Sequence, residues 1–379
     1  MAVRQRNLQE IISLHRQRYP LMEPVDYGKL LYQNEFGPEH MIHSPEAVEE
    51  WIVREWRECA TSFPRQNDFG ETRVRDTCGE GTSVEGTHGK EPRIEDIGNR
   101  LYRFHLTDGY DIPLAAPLLA RLFYRTAGAH RGTKEGLSRK LALLKELGVP
   151  RMESWLEEYI RTGCPALGHS GAFRQAYAPH YRLLRDEYAI YFPVIYRVEK
   201  SLAQSGHAVI AIDGPCGGGK SSLAALLSDL FPSRVLHMDD YYLPLERRAP
   251  GWEHTPCGNM DLDRFRRQAL LPAADHMPII CRPYSCREGR LLPPETLPAA
   301  PLTIVEGSYS LHPLLVPHID LKIFLRCDSR EQLSRLCRRE NTRPDAYLQR
   351  WIPLEQAYYR AFDIPAQCDL TFDNTEYFT

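Results

Sequence analysis

The chain has 379 residues, 42% of them hydrophobic and 26% charged, and a formal net charge of −3. That length suits two domains or three, with ample apolar material for cores. The near-neutral charge argues against a general pull toward nucleic acid or anionic lipid. Its ten cysteines are scattered without a C-x-x-C pair, the usage of a reduced, intracellular protein. No apolar run reaches bilayer length, and the opening residues lack the core and cleavage site of a secretory signal. A cytoplasmic protein with no membrane partner is the expectation.

Residues 1 to 200 read as a mostly α-helical domain. "AAPLLARLFYRTAG", "GLSRKLALLKELG" and "MESWLEEYIRTG" all place apolar residues at three-and-four spacing. The second ends in Gly148 with Pro150 beyond it, a helix stop. Residues 64 to 93 are rich in Gly, Thr, Glu and Arg and have no period, so they read as an exposed, mobile loop. Glu39, His40 and His43 would share a face if helical. With no further ligand nearby, a metal-free surface cluster is the plainer reading. His105, between aromatic and aliphatic neighbours, reads as a packed histidine. A long amphipathic segment follows, "PHYRLLRDEYAIYFPVIYRVEKSLAQSG", with a kink expected at Pro193. The tyrosines at 177, 181, 188, 191 and 196 recur along this stretch and read as packing rather than as an aromatic ligand pocket.

From residue 201 the pattern changes. Short β-rich runs ("AVIAID", "RVLHMDD", "PIICRPY", "LTIVEGSY", "LKIFLRC", "DLTFD") alternate with helical ones ("KSSLAALLSDLF", "LDRFRRQALL", "REQLSRLCRRE", "YLQRWIPLEQAYYRAF"). Buried strands alternating with helices imply an α/β domain over 201–379, a parallel sheet covered on both faces.

Between the first strand and first helix lies Gly214-Pro215-Cys216-Gly217-Gly218-Gly219-Lys220-Ser221, which fits G-x-x-x-x-G-K-[ST]. Glycines let consecutive N–H groups approach phosphate oxygens with no Cβ in the way. The helix start adds unpaired amides and the positive end of its dipole. Lys220 brings a mobile charge for the β- and γ-phosphates, and Ser221 a hydroxyl for Mg²⁺, with Ser222 beside them. The four fixed positions match by accident in about one chain of this size in a hundred, before the flanking strand and helix are required.

Phosphoryl transfer also needs a base for the acceptor, a carboxylate for the metal and cations over the phosphates. Asp239 and Asp240 follow one apolar strand, and a carboxylate there can serve as general base close to the metal, although alone the pair reads as a turn. Glu306 ends another strand and can hold Mg²⁺. Arg335 and Arg339 lie four apart on one helical face, with Arg343 a turn beyond, either a solvated basic surface or a lid.

The segments "DGPCGGGKSSLA", "HMDDYYLP", "GNMDLDRF", "RPYSC", "VEGSYSLHP", "LSRLCRRENTR" and "RWIPLEQAYYRAFD" occur in one order over residues 207 to 375. In that order the chain resembles the uridine kinase, nicotinamide riboside kinase and phosphoribulokinase branch of the P-loop kinases. The resemblance implies ATP and Mg²⁺. It makes Asp239 the base on an acceptor hydroxyl, Asp261 a ligand of vicinal ribose hydroxyls, and Tyr242 and Tyr284 walls of the acceptor pocket, with Arg287 on the acceptor side. Arg335, Arg339 and Arg343 would belong to the lid, Arg343 toward the nucleotide. The lid is shorter than in uridine kinases, and "SCREGRLLPP" lacks the basic stretch associated with pyrimidine recognition there. The reaction carries over; the acceptor, a nucleoside or related ribosyl or sugar compound, carries over only as a class.

The segment "YGKLLYQNEFGPEHMIHSPEAVEEW" is similar to accessory domains fused to bacterial kinases of this type. Such a domain could tune acceptor choice, regulate, add an activity of its own or make a homodimer. A different class of protein fits the glycine loop equally, a nucleotide-dependent switch or ATPase whose first domain binds protein or RNA. The acceptor-side residues and the absence of a basic stripe speak against it.

Overall fold

The computed structural model describes residues 6–38, 44–62, 93–106, 109–340 and 345–377. Glu39, His40, His43, Arg343 and residues 64 to 92 of the loop read at 64 to 93 lie outside the described residues. The chain divides into two compact units, Gln5–Pro193 and Val194–Thr379. Among the described residues no helix is long and apolar enough to cross a membrane.

The first unit is helical around a small sheet. Its helices are α1 (Leu8–Arg18), α2 (Pro24–Phe36), α3 (Pro45–Ser62), α4 (Ile112–Ala129), α5 (Lys134–Ala142), α6 (Met152–Arg161), α7 (Gly171–Tyr177) and α8 (Asp186–Ile190). The sheet, β1 (Ile94–Gly98), β2 (Leu101–His105) and β3 (Tyr181–Arg185), is antiparallel in that order. The long amphipathic segment is therefore not one helix. Tyr181–Arg185 pairs with β2, Leu101 opposite Arg185 and His105 opposite Tyr181. Helix α9 (Phe192–Ser205) begins afresh, with Pro193 in its first turn. Proline is tolerated there because the N–H it lacks has no partner inside the helix.

A chain of polar groups runs through the core of this unit. Asp26, on α2, accepts from His169 Nδ1 at 2.9 Å and from the Ser170 N–H at 3.0 Å. His169 Nε2 meets the Tyr181 hydroxyl at 2.7 Å, and Gln33 Nε2 donates to that same hydroxyl at 3.1 Å. Arg103, 1% exposed, donates to Gln33 Oε1 from Nε and Nη2 at 3.1 and 2.8 Å. Its Nη1 faces Glu95 at 3.8 Å; His105 faces the same carboxylate at 3.2 Å and Tyr19 donates to it. His105 is thus packed, as its neighbours in sequence suggest, yet it packs against a carboxylate. Tyr188 and Tyr191 are buried in this unit, and Tyr177 stacks edge-on against Tyr19 and Phe173.

Burial, with the charge of Arg103 behind it, holds His15 and His169 down to about 4. An unfolded chain protonates these imidazoles near pH 6.5, so stability present at neutral pH is lost as the pH falls from there toward 4. Asp26 and Glu95, held below the ordinary carboxylate range by hydrogen bonds from their histidines despite burial, extend that loss to lower pH. We expect each histidine to cost this unit about 3 kcal/mol by pH 4. Hydrogen exchange by mass spectrometry should show the β2 and β3 amides losing protection between pH 7 and 5. Unchanged protection would contradict the assignment.

The second unit is α/β. Its strands β4 (Ala208–Asp213), β5 (Ser233–His237), β10 (Leu302–Glu306), β11 (Leu321–Arg326) and β12 (Leu370–Asp373) form a five-stranded sheet in the order β12-β11-β4-β10-β5, every neighbour parallel. Central strands β4 and β10 are buried at every position, so they read in sequence as unbroken apolar runs. Between β5 and β10 come α11 (Leu262–Phe265), continued through one π-helical turn into α12 (Leu271–Ala274), and four short strands. These are β6 (Ile279–Cys281), β7 (Tyr284–Ser285), β8 (Arg290–Leu291) and β9 (Glu295–Leu297), paired as β6 with β9 and β7 with β8. Helix α10 (Lys220–Leu230) lies against β4, β5 and β10. Helices α13 (Ser329–Glu340) and α14 (Ile352–Phe362) complete the unit. One core joins Val209, Ala211, Val305 and Phe324 to Phe265 and Leu270 of the α11–α12 segment and to Leu354 and Tyr358 of α14. After β4 the chain crosses to β5 on one side, and after β10 it returns to β11 on the other. The end of β4 is the switch point where open α/β sheets bind ligands.

Candidate phosphate-binding and transfer site

The site grows from the carboxyl end of β4. Asp213, buried, accepts from the Gly214 N–H at 2.7 Å, the Leu311 N–H at 3.1 Å and the Tyr358 hydroxyl at 2.9 Å. Burial pushes its carboxyl up to about 6 against those donors and Lys220. The chain then turns through conformations that need glycine. Gly214 has φ +144°, and a Cβ there would stand 2.5 Å from the Leu325 carbonyl oxygen. A Cβ on Gly218 would meet the Pro215 carbonyl oxygen at 2.7 Å. Helix α10 opens at Lys220 with Gly219 as its cap, so the amides of Lys220, Ser221 and Ser222 have no acceptor within the helix. Both serines are exposed.

The carbonyl side of this loop is pinned from three directions. Gln332 of α13 donates to the Cys216 carbonyl at 2.9 Å. Asn374, just past β12, donates to the Gly218 carbonyl at 2.7 Å. Lys220 Nζ reaches the Gly214 and Pro215 carbonyls at 2.7 and 3.2 Å and the Ser308 hydroxyl at 3.4 Å. One amide is claimed as well, since both oxygens of Glu355 accept from the Cys216 N–H, at 3.1 and 3.0 Å. Ser308 donates to the same carboxylate.

Beside the loop stands the acidic group. Glu306, at the end of β10, accepts from Ser221 Oγ at 3.1 Å and pairs with His237 Nδ1 at 2.6 Å. His237 occupies the matching position on neighbouring β5. Burial tends to raise the Glu306 carboxyl, but His237, Lys220 and Ser221 together hold it below its usual value. The same contact raises His237. Asp239, exposed on the turn after β5, accepts from the Tyr242 hydroxyl at 2.8 Å. Burial and then Asp239 keep that hydroxyl well above the ordinary tyrosine range. Tyr242 bridges to Met260, and the Asp261 N–H donates to the Tyr241 carbonyl, so Asp261 comes to the same corner. Strand β7, with Tyr284 buried, lies against the 238–241 turn.

Other residues sit differently from the sequence expectation. Arg335 is not a projecting lid cation. It is buried, and it spends Nη1 and Nη2 on the side chain and carbonyl of Asn374 at 2.9 and 3.0 Å and Nε on Glu331 at 2.9 Å. Through Asn374 it braces the glycine loop. Arg339 is exposed, with its guanidinium over the Tyr347 ring and bonded to that hydroxyl. Asp261 caps α11 through the Arg264 N–H at 3.2 Å and pairs with Arg264 at 3.4 Å. Arg287 is exposed on the loop between β7 and β8. His237, Ser308, Gln332, Glu355 and Asn374 are participants that the sequence reading did not single out. His237 carried a usable signal, being the last strand residue before Asp239.

No family model and no curated protein sequence matches this chain. Several solved structures resemble about half of the chain. A possible uridine kinase from Bacillus stearothermophilus is 19% identical over 48% of this chain and 98% of its own, with a TM-score of 0.39. A candidate fructose transport system kinase from Silicibacter sp. is 25% identical over 47% and 97%, at 0.38. D-glycerate 3-kinase from Cryptococcus neoformans is 16% identical over 47% and 87%, at 0.30.

The bracing role of Arg335 makes a distinct prediction. Arg335→Lys keeps the charge and removes the planar fork, at an expected cost of about 1–2 kcal/mol. Amide exchange at Gly217, Gly218 and Gly219 should quicken. An arginine serving only the transferred group would leave that exchange unchanged.

Proposed function

We propose that the Val194–Thr379 unit is an ATP- and Mg²⁺-dependent kinase that phosphorylates a hydroxyl of a small acceptor, a nucleoside or a related ribosyl or sugar compound. The observation carrying this reading is the convergence of the glycine cradle, the Ser221–Glu306 pair and Asp239 at the ends of β4, β10 and β5.

The donor set suits the two absent groups. A side chain on Gly214 or Gly218 would collide with backbone, and the amides of Lys220, Ser221 and Ser222 at the start of α10 remain for a polyphosphate. Among the described residues no three His, Cys, Asp or Glu side chains cluster to cage a metal ion. That suits Mg²⁺, which takes one or two protein oxygens and completes its shell with phosphates and water. Ser221 and Glu306 would hold it, and its chemistry is to neutralise phosphate charge. Lys220, held beside the loop by the Gly214 and Pro215 carbonyls, supplies a full positive charge to the same oxygens. Asp239, exposed and oriented by Tyr242, takes the acceptor's hydroxyl proton as the new O–P bond forms. Arg339 and Arg343 are proposed to serve the phosphates from the lid; Asp261, Tyr242, Tyr284 and Arg287 are proposed for the acceptor.

A coupled ADP assay over nucleosides, sugars, vitamins and hydroxy acids tests this. We expect acceptor-dependent ADP release, lowered about 100-fold or more by Lys220→Ala. Asp239→Asn should keep ATP affinity and lose about 10²–10⁴ in transfer. Near-normal transfer by the Asn variant removes Asp239 from the base role. Acceptor-independent turnover stimulated by a macromolecule would favour a switch or ATPase instead.

A further inference from the structure

Next to Asp239 in sequence, Asp240 lines a cavity of about 200 Å³ between β5 and the β6–β9 pair. Its polar lining is Asp240, Glu295, Tyr241, Cys281 and His237, while Val235, Pro283 and Leu297 add apolar walls. Three groups in it are underused. Asp240 makes no side-chain hydrogen bond or ion pair among the described residues. Glu295 receives only the Cys281 thiol, at 3.4 Å. Tyr241 is 2% exposed and its hydroxyl has no partner at all, a group that burial leaves costly unless something fills the site.

Burial, with Glu295 and Asp239, raises the Asp240 carboxyl despite the opposing charges of His237 and Arg264. His237 is committed to Glu306. The nearest guanidinium, Arg264, lies over the Tyr241 ring and gives its N–H groups to the Arg282 and Asp240 carbonyls and to Asp261. Two carboxylates therefore face a small, part-apolar space that no metal-holding cluster claims. A primary ammonium offers three donors and no acceptor. The carboxylates of Asp240 and Glu295 offer acceptors for it, and Val235, Pro283 and Leu297 suit the adjoining methylenes. A neutral hydroxyl or a carboxylate would leave the two charges unpaired or opposed.

We propose that this cavity binds a primary ammonium group, and that the acceptor phosphorylated at Asp239 is a hydroxyl compound bearing such an amine. The second half rests on the kinase reading; the first does not.

The test separates them. Binding of ethylammonium, with ethanol and tetramethylammonium as controls, is measured by saturation-transfer NMR on the full chain. We expect ethylammonium alone to bind, and Asp240→Asn or Glu295→Gln to weaken it at least tenfold. Glu295→Gln lies off the Asp239 turn and guards against simple misfolding. In the ADP assay, amino sugars and amino alcohols should exceed their deaminated isosteres at least tenfold in kcat/KM, and Glu295→Gln should erase that preference while sparing the isosteres. No ethylammonium binding, or binding that neither variant affects, overturns the cavity assignment. Variant-sensitive binding without any transfer keeps the cavity and refutes the kinase reading. Transfer with no amine preference refutes the acceptor class.

Discussion

The whole site hangs on a backbone that must face two ways at once. Along Gly214 to Gly219 the protein holds the peptide groups on both sides: the Gly214, Cys216 and Gly218 amides donate to Asp213, Glu355 and the Pro215 carbonyl, while the Gly214, Pro215, Cys216 and Gly218 carbonyls accept from side chains. A buried carbonyl without a donor is costly, so the loop holds its shape only because Gln332, Asn374 and Lys220 each supply one. Those donors come from a helix, the end of the last sheet strand and the loop's own lysine. Glycine permits the conformation; the distant side chains enforce it.

The same division of labour appears on the acidic side. Glu306 and His237 sit opposite each other because β10 and β5 run parallel and in register, and Ser221 meets the carboxylate because α10 packs on those strands. The sheet sets the positions and the side chains at its rim set the charges. Asp239 and Asp240 follow immediately, and one peptide step sends them to two different environments, one exposed beside Tyr242 and one lining the cavity.

Where residues are buried on both faces, or where backbone conformation forces a residue type, the sequence was readable. Strands β4 and β10 are unbroken apolar runs, and the glycine loop declares itself. The first unit's sheet was not readable, because its strands carry Glu95, Arg103 and Arg182 buried inside, which hides the alternation a strand would otherwise show. The hairpin between β1 and β2 turns through Asn99 and Arg100 at φ +54° and +60°, and only the Asn was a hint. Arg335 misled for the opposite reason. A helix-face arginine beside a lid looks the same in sequence whether it projects or is clamped, and the clamp, Asn374, is 39 positions away. Glu355 and Gln332 are equally non-local partners of Cys216, 139 and 116 positions along the chain.

The bond from Asn374 to the Gly218 carbonyl spans 156 positions. A ribosome therefore delivers the loop long before the residue that locks it, and until then the Gly218 carbonyl lacks its protein donor. Any grip on phosphate is a late event in the biogenesis of this protein, arriving only when the outermost strand closes the sheet.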